Sequence, residues 1–271
     1  MKRTIVRGWR TMRGRAYPRV IGANREPSWV VYEILLPLLS TAGFIFVYRA
    51  LGAPEQFTSF VVLGGAMSAF WLNVMWSMAS QLFWERDCGN LELYMIAPTH
   101  PMWILLGMAI GGLFTTTLRA GAVIAGALLL FDVHFSLKEW PLALLVFVLT
   151  MAALYGFGMM LSSLFLFFGR EAWHTTNLLQ EPIYFVSGFY FPVRNLGAWV
   201  AGAASIVPLT VGLDAMRQLL SGGTPYAFLT VWWEVVILGA LSVLFLIGAY
   251  YAFAVMERLA RRDGKLAVRC Q

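Results

Sequence analysis

Long, unbroken apolar runs are the feature that most constrains the fold of this chain. One of them, Trp140–Phe168, contains no Asp, Glu, Lys or Arg. About 20 apolar residues cross the roughly 30 Å of bilayer hydrocarbon as an α-helix. Only 13% of all residues are charged and 59% are hydrophobic, which is too apolar for a soluble domain or a disordered chain. The runs predict an all-α integral membrane protein, because a transmembrane β-barrel would show short alternating segments instead.

Six segments of the region 29–256 are predicted to cross the membrane. The fifth is short and stops at Pro192. The stretch that follows, residues 192–225, is apolar but is broken by Pro208 and several glycines, and a seventh span there would reverse the side of the basic C-terminus. We therefore predict a re-entrant or interfacial hairpin at 192–225 on the outer side, between the fifth and sixth spans. The predicted spans are Trp29–Leu51, Phe57–Trp84, Met102–Phe131, Trp140–Phe168, Thr175–Phe191 and Phe228–Met256.

Basic residues are divided unequally between the two sides of this arrangement. Fifteen Lys and Arg fall in residues 1–28, in the loops after the second and fourth spans, and in residues 257–271. The opposite loops hold only four, which are Arg49, Lys138, Arg194 and Arg217. Because cytoplasmic loops are enriched in Lys and Arg, both termini are predicted to be cytosolic, in a multi-pass protein of the cell (inner) membrane. The asymmetry also accounts for the net charge of +6, so no nucleic-acid partner is expected.

The two terminal segments are predicted to lie at the cytosolic surface. Residues 1–28 carry eight Lys and Arg together with apolar residues at helical spacing. They predict a basic amphipathic helix in the headgroup layer of the bilayer, with Trp9 and Arg10 at the interface. Residues 257–271 are predicted to form a basic cytosolic tail.

Sequence motifs for catalysis, nucleotide binding and metal binding are missing. Gly264-Lys265 is followed by Leu266 and does not form a phosphate-binding loop. The three histidines, His100, His134 and His174, fall in three different predicted loops and are not expected to share a metal ion. We therefore expect no catalytic residues and no metal site in this chain.

The loop between the second and third spans, residues 85–98, predicts a short helix lying across the cytosolic surface. Gly89 permits a sharp turn, Asn90 is a suitable N-cap, and Glu92 suits the positive end of a helix. Apolar residues then recur at helical spacing until Pro98 ends the helix. Such a helix is either a connector or an element that docks in a groove of a cytosolic partner. The residues predicted to couple to a partner are Glu85, Arg86, Gly89, Asn90, Leu91, Glu92, Tyr94 and Pro98.

This loop resembles the coupling-helix signature of ABC-2 type permeases. The shared pattern is E-R-x-x-G-x-L-E, closed by a proline, at residues 85–98. A second block resembles the same family, with S-G-F-Y-F-P at 187–192, P-L-T at 208–210 and D-A-M-R-Q-L-L at 214–220. The resemblance covers nearly the whole chain. Asn90 stands where the family usually has Thr, and Gly197 where it often has Pro.

The resemblance implies the permease subunit of an ATP-driven exporter that lacks an ATPase of its own. Two permease chains, expected to be identical, would pair with two copies of a nucleotide-binding subunit. ATP and Mg²⁺ would be bound by that subunit, and this chain would need no cofactor. The family exports glycans, lipid-linked molecules, drugs and other amphipathic compounds. A membrane-embedded enzyme acting on lipids and a passive channel or scaffold remain as alternatives.

Charged and aromatic residues within the spans are candidates for a translocation path. Charge inside a membrane costs about 3 kcal/mol on insertion scales, so Arg119 and Glu181 are expected to line a polar cavity or to pair with each other. Glu33 and Glu234 lie nearer to span ends, where they can reach the interface. Aromatic residues where the fifth span meets the hairpin form either an interfacial belt or a hydrophobic gate. The residues assigned to the path or gate are Arg119, Glu181, Tyr184, Phe189, Tyr190, Phe191 and Pro192.

Overall fold

The computed structural model of the protein describes residues 2–133, 135–168, 172–221 and 227–262. Within these ranges the ordered elements are all helical, which confirms the predicted all-α class. The α-helices are α1 (Lys2–Ala23), α2 (Pro27–Ala50), α3 (Gln56–Leu72), α4 (Gln81–Asp87), α5 (Asn90–Ile96), α6 (Pro101–Leu130), α7 (Trp140–Phe168), α8 (Ala172–Val186), α9 (Ala198–Ala204), α10 (Pro208–Leu220) and α11 (Val231–Arg262). A π-helical segment, Asn73–Met78, follows α3, and a 3₁₀ turn, Val193–Leu196, precedes α9.

Five helical stretches in the described residues are long and apolar enough to cross a membrane. They correspond to five of the six predicted spans. The second is longer than predicted, because α3, the π-helical segment and α4 run on as one stretch. The five stretches are Pro27–Ala50, Gln56–Asp87, Pro101–Leu130, Trp140–Phe165 and Val231–Leu259.

The fifth predicted span, Thr175–Phe191, is wrong in its extent. Helix α8 ends at Val186, and its 15 residues would cover only ~22 Å at 1.5 Å per residue. The chain leaves the helix at Ser187 and turns at Gly188, whose φ of +69° favours glycine. A non-helical turn therefore replaces the last part of the predicted span.

The predicted hairpin contains two helices that meet at a sharp bend. Helices α9 and α10 are bent by 108° at a short break, and together they are apolar enough for either a broken span or a re-entrant loop. Pro208 begins α10, where its missing N–H costs nothing. Residues 222–225, the end of the predicted hairpin, lie outside the described residues.

The Gln56–Asp87 stretch forms the centre of the molecule. Of its most apolar part, 83% is buried, against 17% for the α2 span and 22% for the α11 span. Helices α7 and α11 pack against each other along their length, and α10 packs on α7. The outward faces of α2 and α11 are apolar, as expected for surfaces that contact lipid.

Helix α1 lies along α6, and two glycines of α6 permit this close approach. A Cβ atom at Gly107 would lie 2.5 Å from the carbonyl oxygen of Met12, and one at Gly111 would lie 2.9 Å from that of Ala16. The Gly-x-x-x-Gly spacing brings helix backbones together in membranes. Met12 is buried in this contact, whereas Trp9 and Arg10 remain exposed. One face of α1 is thus a packing surface within the chain.

Candidate functional site

A tight turn between α4 and α5 positions the predicted coupling helix. Gly89 has a φ of +74° and occupies the N-cap position of α5, so the prediction that Asn90 is the N-cap is wrong. Asn90 is the first helical residue, and its Nδ2 atom donates to Oε2 of Glu85 at 3.0 Å. Helix α5 ends at Ile96, because the residue before Pro98 is held in an extended conformation.

Glu85 is the centre of a polar cluster that joins three helices. It was predicted to contact a partner, but the structure buries it, with 7% of the residue exposed. Its Oε1 atom accepts from Arg15 of α1 and, at 3.0 Å, from Nε2 of Gln81. Its Oε2 atom accepts from the Tyr94 hydroxyl at 2.7 Å, in addition to Asn90. We call these five residues the Glu85 cluster.

Tyr94 and Leu91 attach the inner face of α5 to the rest of the chain. Leu91 is 1% exposed, and the Arg15 guanidinium lies 5.0 Å from the centre of the Tyr94 ring. Burial, and then the hydrogen bond to Glu85, raise the pKa of the Tyr94 phenol. The phenol therefore stays a hydrogen-bond donor at physiological pH, and the predicted docking face of α5 is occupied within the chain.

A different face of α5 is exposed. Leu93 and Ile96 are 60% and 79% exposed, one helical turn apart, with exposed Glu92 beside them. Arg86 lies above the Phe83 ring, with its guanidinium carbon 5.5 Å from the ring centre. The spacing of Leu93 and Ile96 could have identified this face from the sequence. Sequence reasoning considered only the face formed by Leu91, Tyr94 and Met95.

Arg119 does not pair with Glu181, so that alternative is wrong. Its guanidinium forms an ion pair with Glu33 and donates to the carbonyl oxygen of Ala23 at 2.8 Å. Arg119 and Glu33 line a cavity of about 400 Å³ between α1, α2, α4, α6 and the π-helical segment. Glu181 lies elsewhere, on a cavity of about 170 Å³ between α2, α3 and α8.

The predicted gate residues form a packed aromatic cluster around the turn after α8. The Tyr184 hydroxyl donates to that of Tyr190 at 3.1 Å, and the Tyr184 ring stacks on Phe189 with centres 4.6 Å apart. The Tyr190 ring stacks on Phe44 of α2 with centres 4.0 Å apart. Phe189, Tyr190 and Pro192 are buried, whereas Phe191 is half-buried. Tyr184 and Tyr190 also line the cavity that contains Glu181.

Arg217 holds this turn in place, and sequence reasoning missed its role. Arg217 was counted with the outer loops, but it lies within α10 and is 1% exposed. Its guanidinium donates to the carbonyl oxygens of Gly188 at 2.7 Å, Phe189 at 2.6 Å and Phe60 at 3.0 Å. It also lies 3.3 Å above the centre of the Phe60 ring. We call this arrangement the Arg217 clamp; the D-A-M-R-Q-L-L run contains Arg217 but does not indicate its carbonyl partners.

A second set of polar contacts joins the other side of α10 to the segment that leads into α11. Gln218 donates to Oε2 of Glu234 at 3.0 Å and to the carbonyl oxygen of Leu229 at 2.8 Å. Oδ2 of Asp214 accepts from the backbone N–H of Phe228 at 2.9 Å. Glu234 is 1% exposed, so the expectation that it reaches the interface is wrong. These contacts attach the start of α11 to α10.

The comparison with protein families assigns this arrangement of helices to a class of transporter. A family model described as ABC-2 type transporter matches residues 20–221, about three quarters of the chain. The chain therefore belongs to the ABC-2 type transporter family. It is a membrane domain of that family and is not itself the ATPase.

Relatives of known description are found in Escherichia coli. The chain is 27% identical over 137 residues to a protein described as a probable multidrug ABC transporter permease, YbhR, of strain K12. The O157:H7 protein of the same description matches equally. The aligned region covers 50% of this chain and 36% of each relative, so the chain spans about a third of the length of the curated relatives it matches.

Proposed function

We propose that this chain is the transmembrane permease subunit of an ATP-driven ABC exporter. Its cargo would be an amphipathic molecule of the drug-like, lipid-linked or glycan class, moved outward across the cell membrane. Members of the family normally work with an ABC ATPase subunit, and the similarity to a permease described as a multidrug transporter favours drug-like cargo. The active assembly would hold two permease chains and two ATPase subunits, with ATP and Mg²⁺ bound by the latter.

The observation that carries this proposal is the division of α5 into an anchored face and an exposed face. The anchored face joins Glu85, and through it α1 and the central Gln56–Asp87 stretch. The exposed face presents Glu92, Leu93 and Ile96. A helix that only connected two spans would not need both features. Apolar side chains beside a carboxylate suit docking into a groove of another protein.

Movement of the partner would reach the path through the Glu85 cluster. When the ATPase subunits close on ATP, they would displace α5 as a rigid unit, because Leu91 and Tyr94 are packed against the chain. The hydrogen bonds of Glu85 would pass that displacement to α1 and to the end of the central stretch. The termini and α5 would be cytosolic, and the aromatic cluster around Tyr190 would close the outer end.

A charge reversal on the exposed face tests this proposal. Glu92→Arg is expected to reduce ATP hydrolysis by the co-purified complex about tenfold, because the few residues that dominate an interface each cost more than about 1 kcal/mol when they are changed. Glu139→Arg is the matched control, since this exposed carboxylate precedes α7, at the opposite end of α6 from α5. Both variants change the net charge equally, and ATPase activity should fall only for Glu92→Arg.

Two results would contradict the proposal. Equal activity of wild-type and Glu92→Arg complexes would reduce α5 to a connector. Export is tested separately, with the purified complex in vesicles, ATP outside and a fluorescent amphipathic dye as the probe. Dye accumulation only on the face opposite the ATPase subunits supports export. Dye movement toward the ATPase side, or movement independent of ATP, would leave import or a passive channel.

A further inference from the structure

The cavity beside α1 contains more positive than negative charge. It has a volume of about 400 Å³ and is bounded by α1, α2, α4, α6 and the π-helical segment. Its described ionisable lining consists of three arginines and two glutamates. These are Arg15, Arg19, Glu33, Glu85 and Arg119.

Two of the three guanidiniums are neutralised by carboxylates of the chain. Arg15 pairs with Glu85, and Arg119 pairs with Glu33. Arg19 has no carboxylate at ion-pair distance among the residues that the structure describes, and it donates instead to the hydroxyl of Ser77. Burial lowers the pKa of Arg19, and the nearby charge of Glu85 acts in the opposite direction; removal from water disfavours the charged form. The excess charge of the cavity therefore lies on Arg19.

Hydrogen-bond donors in the same cavity are also left without acceptors. The Nε atoms of Arg15 and Arg119 have no partner among the residues that the structure describes, and Arg119 is only 6% exposed. A buried N–H without an acceptor is costly, more so when the group is charged. A water molecule could satisfy one of these donors, but it would leave the charge of Arg19 uncompensated.

We infer that this cavity binds a phosphate group, which supplies the negative charge and the acceptor oxygens that the three arginines lack. Guanidinium donors match phosphate oxygens in geometry and bind them strongly. The cavity is formed by a basic helix that precedes the first span, where the headgroups of anionic lipids are found. The phosphate belongs either to an anionic phospholipid headgroup or to a small soluble phosphate ester. The inference does not depend on the direction of transport.

Lipid nanodiscs separate the two sources of phosphate. The wild-type chain is placed in nanodiscs of phosphatidylcholine alone, or with phosphatidylglycerol, and its thermal midpoint is measured. sn-Glycerol 3-phosphate is added to the phosphatidylcholine samples as the soluble probe. Stabilisation by phosphatidylglycerol alone assigns the site to the lipid headgroup, and equal stabilisation by the soluble ester assigns it to a free phosphate ester.

Arg19→Gln is the decisive variant, and Arg13→Gln is its matched control. Arg13 lies on the same helix, is exposed and does not line the cavity. We expect Arg19→Gln to bind the phosphate probe about tenfold more weakly, as the loss of a charge-assisted contact predicts, while Arg13→Gln responds as the wild type. Arg19→Lys, which keeps the charge, should recover part of the response.

The variants also distinguish a binding site from a structural role. In phosphatidylcholine alone, Arg19→Gln should be at least as stable as the wild type, because it removes a half-buried charge that has no ion-pair partner in the described part of the chain. A lower midpoint there would show that Arg19 supports the fold without a ligand and would overturn the inference. Equal loss in Arg13→Gln and Arg19→Gln, or an unchanged response in both, would overturn it as well.

Discussion

The Glu85 cluster and the Arg217 clamp both stabilise a buried charged side chain, but they do so with different kinds of partner. Both hold a charged side chain in the interior of a membrane protein, near opposite ends of the central Gln56–Asp87 stretch. Glu85 is surrounded by side chains of three helices, and its charge is balanced by Arg15. Arg217 is surrounded by backbone carbonyl groups and has the Phe60 ring beneath it. Side-chain rotation can change the partners of Glu85, whereas the carbonyl partners of Arg217 can change only if the backbone moves.

This difference assigns a different mechanical role to each end of the molecule. Side-chain hydrogen bonds can be remade after a small shift of α5, so the Glu85 cluster suits a junction that transmits movement. The three carbonyl groups bound by Arg217 belong to α3 and to the turn after α8, so the clamp suits an anchor that keeps this turn fixed to α10. The comparison predicts stability effects at Arg217 and coupling effects at Glu85.

Loss of the clamp should produce the largest effect on stability. Arg217→Met keeps much of the side-chain volume but leaves the buried carbonyl groups of Gly188 and Phe189 without the donor that they share, at a cost of about 1–3 kcal/mol each. The thermal midpoint in detergent should fall by roughly 10 °C or more, as the usual dependence of the midpoint on free energy predicts. The measurement is a thermal unfolding curve followed by size-exclusion fluorescence.

Arg217→Lys separates the charge of the clamp from its geometry. Lysine keeps the positive charge but cannot reproduce the planar arrangement of donors that reaches Gly188, Phe189 and Phe60 together. We expect it to be nearly as destabilised as Arg217→Met. A lysine variant with a wild-type midpoint would mean that charge alone matters, and the anchor would lose its geometric basis.

The spans were predictable from the sequence, whereas the clamp was not. The five membrane-crossing stretches follow from apolar length, which is a local property of the chain. The charge count treated Arg217 as a loop residue, because a lone arginine in a Gly- and Pro-rich segment carries no local sign of its partners. Those partners are backbone carbonyl groups 29 and 157 residues away. Every residue has a backbone carbonyl group, so the sequence does not indicate which of them accept from Arg217.

The position of α1 could be predicted only in part from the sequence. The basic composition of residues 1–28 indicated a helix at the membrane surface, and the helix is present. Its packing on α6 depends on Gly107 and Gly111, whose spacing is visible in the sequence but whose partner helix is not. The end of α8 was missed for a similar reason, since the apolar run continues through the turn at Gly188 that the Arg217 clamp stabilises.

Removing the charge of Glu85 should affect coupling more than stability. Glu85→Gln retains one acceptor oxygen but loses the ion pair with Arg15. Its NH2 group faces either the donors of Arg15 and Gln81 or those of Asn90 and Tyr94. Hydrogen bonds to a charged group contribute about 1.5–3 kcal/mol, so ATP hydrolysis by the complex should fall about tenfold. The thermal midpoint should fall less than that of Arg217→Met.

The control for this change lies two residues further along α4. Asp87→Asn removes the same charge from an exposed position and should leave ATP hydrolysis near the wild-type rate. If Glu85→Gln hydrolyses ATP normally but unfolds as easily as Arg217→Met, the two regions do not differ in role, and the comparison fails.

The smallest effect is expected at Tyr184, where one hydrogen bond lies beside the turn that the Arg217 clamp holds. Tyr184→Phe removes the hydroxyl that donates to Tyr190 and keeps the ring that stacks on Phe189. A neutral hydrogen bond is worth about 1 kcal/mol, so an open form of the aromatic cluster should become roughly fivefold more populated, with little change in the thermal midpoint. The measurement is ATP hydrolysis without cargo, which should rise by a similar factor if the cluster acts as a gate. Tyr17→Phe, at an exposed position of α1, provides the matched control. A lower midpoint with unchanged hydrolysis would identify the aromatic residues as packing around the Arg217 clamp, because a belt or core loses stability, whereas a gate loses closure.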